Sequence, residues 1–129
     1  MYDESYPARL PCTYVKVRKY HYDDTNTLQR IVEDNGIKKA ARILEFEYDD
    51  EGNPVMEREW ELRAGARNTS NALIDSLYDL TATVEREFYP DSNVVSVAVT
   101  RDRYTGEVTY LKRDEQERVV TYRKVDASG

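Results

Sequence analysis

The chain has 129 residues and a formal net charge of −6, from 25 acidic and 19 basic side chains. This length suits one domain with its own hydrophobic core, and no apolar run approaches the ~20 residues needed to span a bilayer. The acidic balance disfavours sequence-independent DNA binding, which normally depends on a basic surface.

The first residues are predicted to form an extended arm at residues 1–12, which contains Pro7 and Pro11. Cys12 is the only cysteine, so the chain cannot form an intrachain disulfide. We therefore expect a reducing compartment, which is the cytoplasm or an assembled virion or particle. No membrane association is expected.

Residues 14–22 are rich in Tyr and Val, which predicts a β-strand. Basic and aromatic side chains alternate along it, a pattern with which proteins bind phosphates and stack bases of single-stranded nucleic acid. This alternative nucleic-acid site comprises five residues: Lys16, Arg18, Lys19, Tyr20 and Tyr22.

Residues 28–44 are compatible with two structures. As strands they would form a hairpin with a two-residue turn at Asn35-Gly36, which places Glu33 opposite Lys38. As short helices they would end at Gly36, and residues 36–44 resemble the turn and recognition helix of helix-turn-helix proteins. We prefer strands because the neighbouring segments have hairpin signals.

Three segments have the composition of tight hairpin turns. Gly52 and Gly106 stand where a bulged hairpin needs a left-handed residue, and Asn26 takes the same place in residues 23–27. Residues 20–23 and 46–53 resemble the hairpin signature of YD-repeat proteins, and we interpret them as hairpin turns. The expected register at Gly52 pairs Phe46 with Met56.

The same register sets Arg42 opposite Trp60, and it predicts strands at residues 41–48 and 55–62. Within the second strand, Glu57, Glu59 and Glu61 alternate with apolar residues, so they should lie together on one solvent-exposed face. Such a row is typical of a solvated face, a partner-binding face or a cation site. We favour the first two and expect no metal.

Residues 67–88 are predicted to form one long amphipathic helix, because apolar residues recur there at three- and four-residue steps. Strands are expected again at residues 94–100, 108–112 and 118–125. The predicted fold is therefore α+β: an antiparallel meander of about six or seven strands, curved or split into a sandwich, covered by the helix. It forms a single domain at residues 13–125, followed by a flexible tail at 126–129.

The sequence contains no pattern that predicts catalysis. His21 is the sole histidine, it lies nine residues from Cys12, and no acidic spacing completes a triad around either. Phosphate-binding glycine loops and zinc spacings are also missing from the sequence, so we expect a protein that is not an enzyme and uses no cofactor.

The preferred hypothesis is a non-catalytic binding or assembly protein that acts through a Tyr-rich, charged sheet surface and forms homo-oligomers or binds another protein. The surface residues expected to bind partners are Glu57, Glu59, Glu61, Tyr104 and Tyr110. The sheet–helix–sheet order also resembles, in architecture only, the tube-forming subunits of phage tails, which implies a structural protein of a virion.

A third hypothesis is a small-molecule or nucleotide-binding protein with a pocket between the helix and the sheet. The residues predicted to converge on this pocket are His21, Arg42, Trp60 and Tyr78. Aromatic, cationic and imidazole groups are typical of such sites.

Overall fold

The structure is a computed structural model that describes residues 17–36, 38–70 and 72–126. These residues form one antiparallel sheet of eight strands in sequence order, so that β1 and β8 are its two edges. The strands are β1 (Val17–Tyr22), β2 (Leu28–Asp34), β3 (Arg42–Tyr48), β4 (Pro54–Leu62), β5 (Tyr78–Phe88), β6 (Val95–Asp102), β7 (Val108–Arg113) and β8 (Val119–Val125). The predicted arm at residues 1–12 and the tail residues 127–129 lie outside the described residues.

The predicted α+β fold is wrong, because the described residues contain no α-helix. A single 3₁₀ turn at Asp75–Leu77 precedes β5, and the rest of the expected helix is mostly the strand Tyr78–Phe88. The misleading period has a physical cause: the pairing of β5 with β4 shifts register between the partners Leu80 and Ala82, so Thr81 is bulged. Beyond the bulge, the apolar residues of β5 lie on the opposite face of the sheet. Across the bulge, consecutive positions on one face are therefore three residues apart in the sequence and no longer two, which resembles the spacing in a helix.

The same finding removes the basis for the comparison with phage tail-tube subunits. That comparison rested on a sheet–helix–sheet order, and the described residues form an uninterrupted strand meander. A viral or structural role therefore has no support in the fold.

Three hairpins close with the same turn, which begins with an aspartate. The carboxylate accepts the backbone N–H groups two and four residues later, and it does so at Asp23, Asp49 and Asp114. The fourth residue of each turn has a left-handed backbone, with φ of 66° at Asn26, 83° at Gly52 and 67° at Glu117. The left-handed positions predicted for Gly52, Asn26 and also Gly106 (φ 76°) are thus confirmed.

Residues 28–44 contribute two strands, as preferred, and not helices. The predicted two-residue turn is wrong, however, because Glu33 lies opposite Arg42 and not opposite Lys38. Residues 42–44 lie in β3, so the resemblance to a recognition helix is also not realised.

The register between β3 and β4 differs by one residue from the predicted one. Phe46 lies opposite Glu57, and Trp60 lies opposite Ile43, because the register shifts between Glu47 and Tyr48. Since side chains alternate along a strand, Arg42 and Trp60 lie on opposite faces of the sheet.

We name the two faces of the sheet by their residues. The core face carries Val32, Ile43 and Trp60, which lie in one row across β2, β3 and β4. The glutamate face is the opposite one and carries Glu57, Glu59 and Glu61, so the predicted alternation along β4 is confirmed.

The fully buried core is small and lies on the core face. It consists of Val32, Ala40, Ile43 and Tyr78, each at most 1% exposed. The connection between β4 and β5 covers this part of the face, because Leu73 and Leu77 pack against the core. The remaining strand residues are mostly half-buried, which leaves large parts of a single sheet layer open.

None of the helices in the described part of the chain has the length and apolarity needed to cross a bilayer.

Candidate binding surfaces

Exposed large apolar side chains concentrate on the two edge strands. Eight such residues are exposed in the described part of the chain, and six of them lie on β1 or β8: Val17, Tyr20, Tyr22, Val119, Val120 and Tyr122. An edge strand presents unpaired backbone N–H and C=O groups, so apolar side chains beside them form a template for pairing with another strand. The two edges are therefore the first candidate binding surfaces.

Of the two edge strands, β8 has the larger share of exposed residues. Six of its seven residues are exposed, and Val119, Val120 and Tyr122 are exposed by 52%, 54% and 62%. Its two cations are held from within the sheet: Arg123 stacks 4.9 Å from the ring centroid of Tyr110, and Lys124 lies 3.3 Å from Glu107. Among the described residues, no strand pairs with the outer side of β8.

The other edge, β1, contains most of the predicted nucleic-acid site. Arg18 Nε donates to Glu33 at 2.8 Å, and Lys19 Nζ lies 3.5 Å from Asp34. Hydrogen bonding to Glu33 is the main reason that the pKa of Arg18 is raised. Carboxylates of β2 thus pair with Arg18 and Lys19, the two cations of the predicted site that the structure describes.

The aromatic residues of β1 are exposed, Tyr20 by 49% and Tyr22 by 55%. By strand alternation Tyr20 shares its face with Arg18, whereas Lys19 lies on the other face. Lys16 lies outside the described residues. The C-terminal cations Arg123 and Lys124 are at the opposite edge of the sheet and cannot extend this site.

The predicted row of glutamates lies on one face, but it is not a free carboxylate row. Glu59 accepts a 3.0 Å hydrogen bond from Arg42, and Glu57 lies 3.6 Å from Arg86. Arg42 also reaches Glu33, which is only 6% exposed, at 3.4 Å. Arginines of the same sheet therefore supply the counter-charges.

Glu45 and Glu47, the glutamates of the paired strand β3, lie on the core face instead. There Arg58 pairs with both of them, at 3.6 Å from Glu45 and by a direct hydrogen bond to Glu47. The Trp60 indole also donates to Glu45, at 3.2 Å.

The two predicted partner-binding tyrosines differ in exposure and in their position on the sheet. Tyr104 is 71% exposed in the β6–β7 turn, and its hydroxyl donates to Glu61 at 3.3 Å. The nearby charge of Glu61 is the main cause that raises the Tyr104 pKa. Tyr110 is half-buried beneath Arg123 and lies in the row of Val99 on the core face, so it does not join the glutamates.

The residues predicted for a pocket do not converge. Arg42 points to the glutamate face, whereas His21, Trp60 and Tyr78 belong to the core face. Tyr78 is 1% exposed and fills the core, where burial raises its pKa. No helix is present in the described residues to close a pocket of the predicted kind.

The described residues hold no cluster of three or more His, Cys, Asp or Glu side chains able to bind a metal ion. His21 has a buried Nε2 with no hydrogen-bond partner in the described part of the chain, and burial, followed by the charges of Arg30 and Lys19, lowers its pKa. Cys12 lies outside the described residues.

A cavity of about 560 Å³ lies beside the small core and was missed by sequence reasoning. Three cations line it, namely Lys38, Lys39 and Arg67, together with Leu62, Gly65, Ala66, Asn68 and Thr69. The exposed apolar residues of β8 were missed as well. Neither has a local signal, because each depends on which segments the sheet brings to one place.

Comparison of the whole chain with protein-family models, and with curated proteins, finds no match. Solved structures that are similar to this chain include two proteins of the DUF3836 family. A DUF3836 family protein from Parabacteroides distasonis is 10% identical with a TM-score of 0.43, and the alignment covers 89% of this chain and 91% of that one. A DUF3836 family protein from Bacteroides vulgatus is 6% identical with a TM-score of 0.45, with 86% and 98% covered.

Proposed function

We propose that the protein is a non-catalytic association protein that pairs with a second copy of itself through β8, so that two sheets become one continuous sheet. The observation that carries the proposal is the exposure of six of the seven residues of this edge strand. A single cysteine fits a reducing, cytoplasmic location for the dimer.

The strand is self-complementary in an antiparallel arrangement. In a two-fold pairing centred on Tyr122, Lys124 faces Val120 of the second copy and Arg123 faces Thr121. No like charges are then directly opposite each other, and the two Tyr122 side chains form an aromatic cross-strand pair. Closed two-fold dimers are the commonest homo-oligomers, and this pairing is of that kind.

A head-to-tail pairing of β8 with β1 is the natural rival, since the two edges run antiparallel in a meander of eight strands. It is less favourable than the closed two-fold dimer, because β1–β8 pairing leaves a free edge at each end and would extend indefinitely.

Sedimentation velocity with one substitution placed on either edge distinguishes these arrangements. The wild-type protein is expected to sediment as a monomer–dimer mixture over dilutions from about 1 mM to about 1 μM, the range of modest interfaces. Tyr122→Lys sets two lysines against each other at the two-fold axis and should shift the equilibrium to monomer. Tyr20→Lys is the matched control on β1 and should leave it unchanged.

Two results contradict the proposal. One is a wild-type monomer throughout the dilution series. The other is an equal loss of association in both lysine variants, which would indicate β1–β8 pairing.

A further inference from the structure

We propose that the cavity beside the core binds a small phosphate-bearing molecule, with Lys38, Lys39 and Arg67 as its anion-binding residues. Its volume of about 560 Å³ falls within the range of small-molecule sites. This site is separate from the association proposed for β8.

The three cations differ from many other basic residues of the described chain because no carboxylate pairs with them. Several cations elsewhere in the sheet are paired with carboxylates, as Arg42 is with Glu59 and Arg58 with Glu45. Within the described ranges, the side chains of Lys38, Lys39 and Arg67 make no ion pair and no hydrogen bond. Three uncompensated cations around one cavity, in a chain of net charge −6, form a local positive potential that an anion would balance.

The two walls that carry these cations are held in place by the same buried group. The Tyr78 hydroxyl donates to the carbonyl oxygen of Ala40 at 2.6 Å, and it accepts a hydrogen bond from Asn68 Nδ2 at 2.9 Å. Ala40 directly follows Lys39, and Asn68 directly follows Arg67. Both walls are therefore fixed to one point of the core, which pre-organises the site.

Further hydrogen bonds hold each wall. Ala40 N donates to Asp34 at 2.7 Å, and Lys38 N donates to Asn35 at 2.7 Å. On the opposite wall, Ala66 N donates to the carbonyl oxygen of Arg63 at 3.0 Å. The backbone on both sides of the cavity is therefore held by hydrogen bonds to neighbouring residues.

The lining selects the chemistry of the ligand. A phosphate monoester carries nearly two negative charges and three acceptor oxygens at neutral pH, which matches several cations better than one carboxylate does. The other lining residues include no aromatic ring; they are Leu62, Gly65, Ala66, Asn68 and Thr69. A sugar or glycerol phosphate fits this lining, whereas a nucleotide would find no ring on which to stack its base.

Isothermal titration with inorganic phosphate and with glycerol phosphate tests the proposal. We expect saturable one-site binding of both probes, tighter for the ester because Leu62 and Ala66 contact its carbon atoms. Lys39→Gln and Arg67→Gln should each weaken binding by about tenfold or more, since each removes a charge-assisted hydrogen bond.

The matched control is Lys112→Gln, which removes one charge from β7 outside the cavity. It should leave the affinity within about twofold, the scale of a screened distant charge. An absence of saturable binding, or equal weakening by Lys112→Gln and the cavity variants, would overturn the proposal. We expect each variant to remain folded, because the substituted side chains are at the surface or only half-buried. Circular dichroism checks this expectation.

Discussion

The Tyr78 hydroxyl donates a 2.6 Å hydrogen bond to the backbone carbonyl oxygen of Ala40, and this bond joins residues 38 positions apart in the chain. It connects β5 to the loop between β2 and β3, and β5 is adjacent to neither of these strands in the sheet. Because both groups are buried, water cannot replace either partner.

Tyr78→Phe is therefore expected to destabilise the protein. The substitution leaves the Ala40 carbonyl oxygen and one N–H of Asn68 without their partner, at a cost of about 1–3 kcal/mol in the free energy of unfolding. Urea unfolding followed by fluorescence measures this cost. Tyr104→Phe, which removes an exposed hydroxyl, serves as control; an equal effect in both variants would show that Tyr78 does not anchor the loop.

The left-handed backbone of the repeated turn predicts that two substitutions change the stability of the protein in opposite directions. Gly52→Ala forces a side chain into φ 83° and should destabilise by about 1 kcal/mol, although no atom lies within 4 Å of the added carbon. Glu117→Gly relieves the same conformation at φ 67° and should stabilise by up to about 1 kcal/mol.

Thermal unfolding of the two turn variants checks both signs. Glu51→Ala, within the same turn as Gly52, is the control and should change the melting temperature little. A stabilising Gly52→Ala would mean that the left-handed backbone is not maintained in solution.

The turn aspartates predict a loss of stability in acid. Backbone N–H groups, from Thr27 and Arg118 respectively, are the main cause that holds the pKa values of Asp23 and Asp114 below the usual range. A carboxyl with a depressed folded-state pKa stabilises the fold above its unfolded pKa of about 3.9, and this contribution is lost as the pH falls towards the folded value.

The double variant Asp23→Asn/Asp114→Asn keeps an oxygen acceptor in each turn and removes the titration. The urea midpoint should consequently fall less steeply below about pH 4 in this variant than in the wild type. Asp24→Asn is the control, and an unchanged acid limb in the double variant would refute the role of the two turns.

Arg42 should be the most sensitive cation of the glutamate face. Arg42→Met leaves the buried Glu33 and the half-buried Glu59 without this counter-charge, which we expect to cost about 1–3 kcal/mol of unfolding free energy. Arg63→Met breaks an exposed pair with Asp79 and should cost at most about 1 kcal/mol. Chemical denaturation of the two variants compares these costs, and a larger loss at Arg63 would contradict the assignment.

The conformation of the turns could be predicted from the sequence more successfully than the register between strands. The left-handed positions at Gly52 and Gly106 were predicted correctly because turn composition acts within five residues. The partner of Phe46 was wrong by one residue because of a register irregularity beside Tyr48, which no composition rule locates. The largest error, the helix, came from the bulge at Thr81.

The candidate sites show the same limit. The glutamate row was predicted from alternation alone, but its arginine partners come from strands far away in sequence, as Arg86 does for Glu57. That β8 is an edge depends on the order of all eight strands, and so Tyr122 could not be identified as exposed beforehand.

The most direct test of the account is disulfide trapping of the β8 pair. In a Cys12→Ser background, Tyr122→Cys places two thiols at the two-fold axis with Cα atoms about 5 Å apart, within the range of a disulfide. Val120→Cys, in the same background, places its thiols on either side of the axis, more than about 13 Å apart.

The account predicts that mild oxidation converts the Tyr122→Cys protein to a covalent dimer and leaves the Val120→Cys protein monomeric on non-reducing electrophoresis. Equal cross-linking of the two variants, or none at Tyr122→Cys, would contradict pairing through β8.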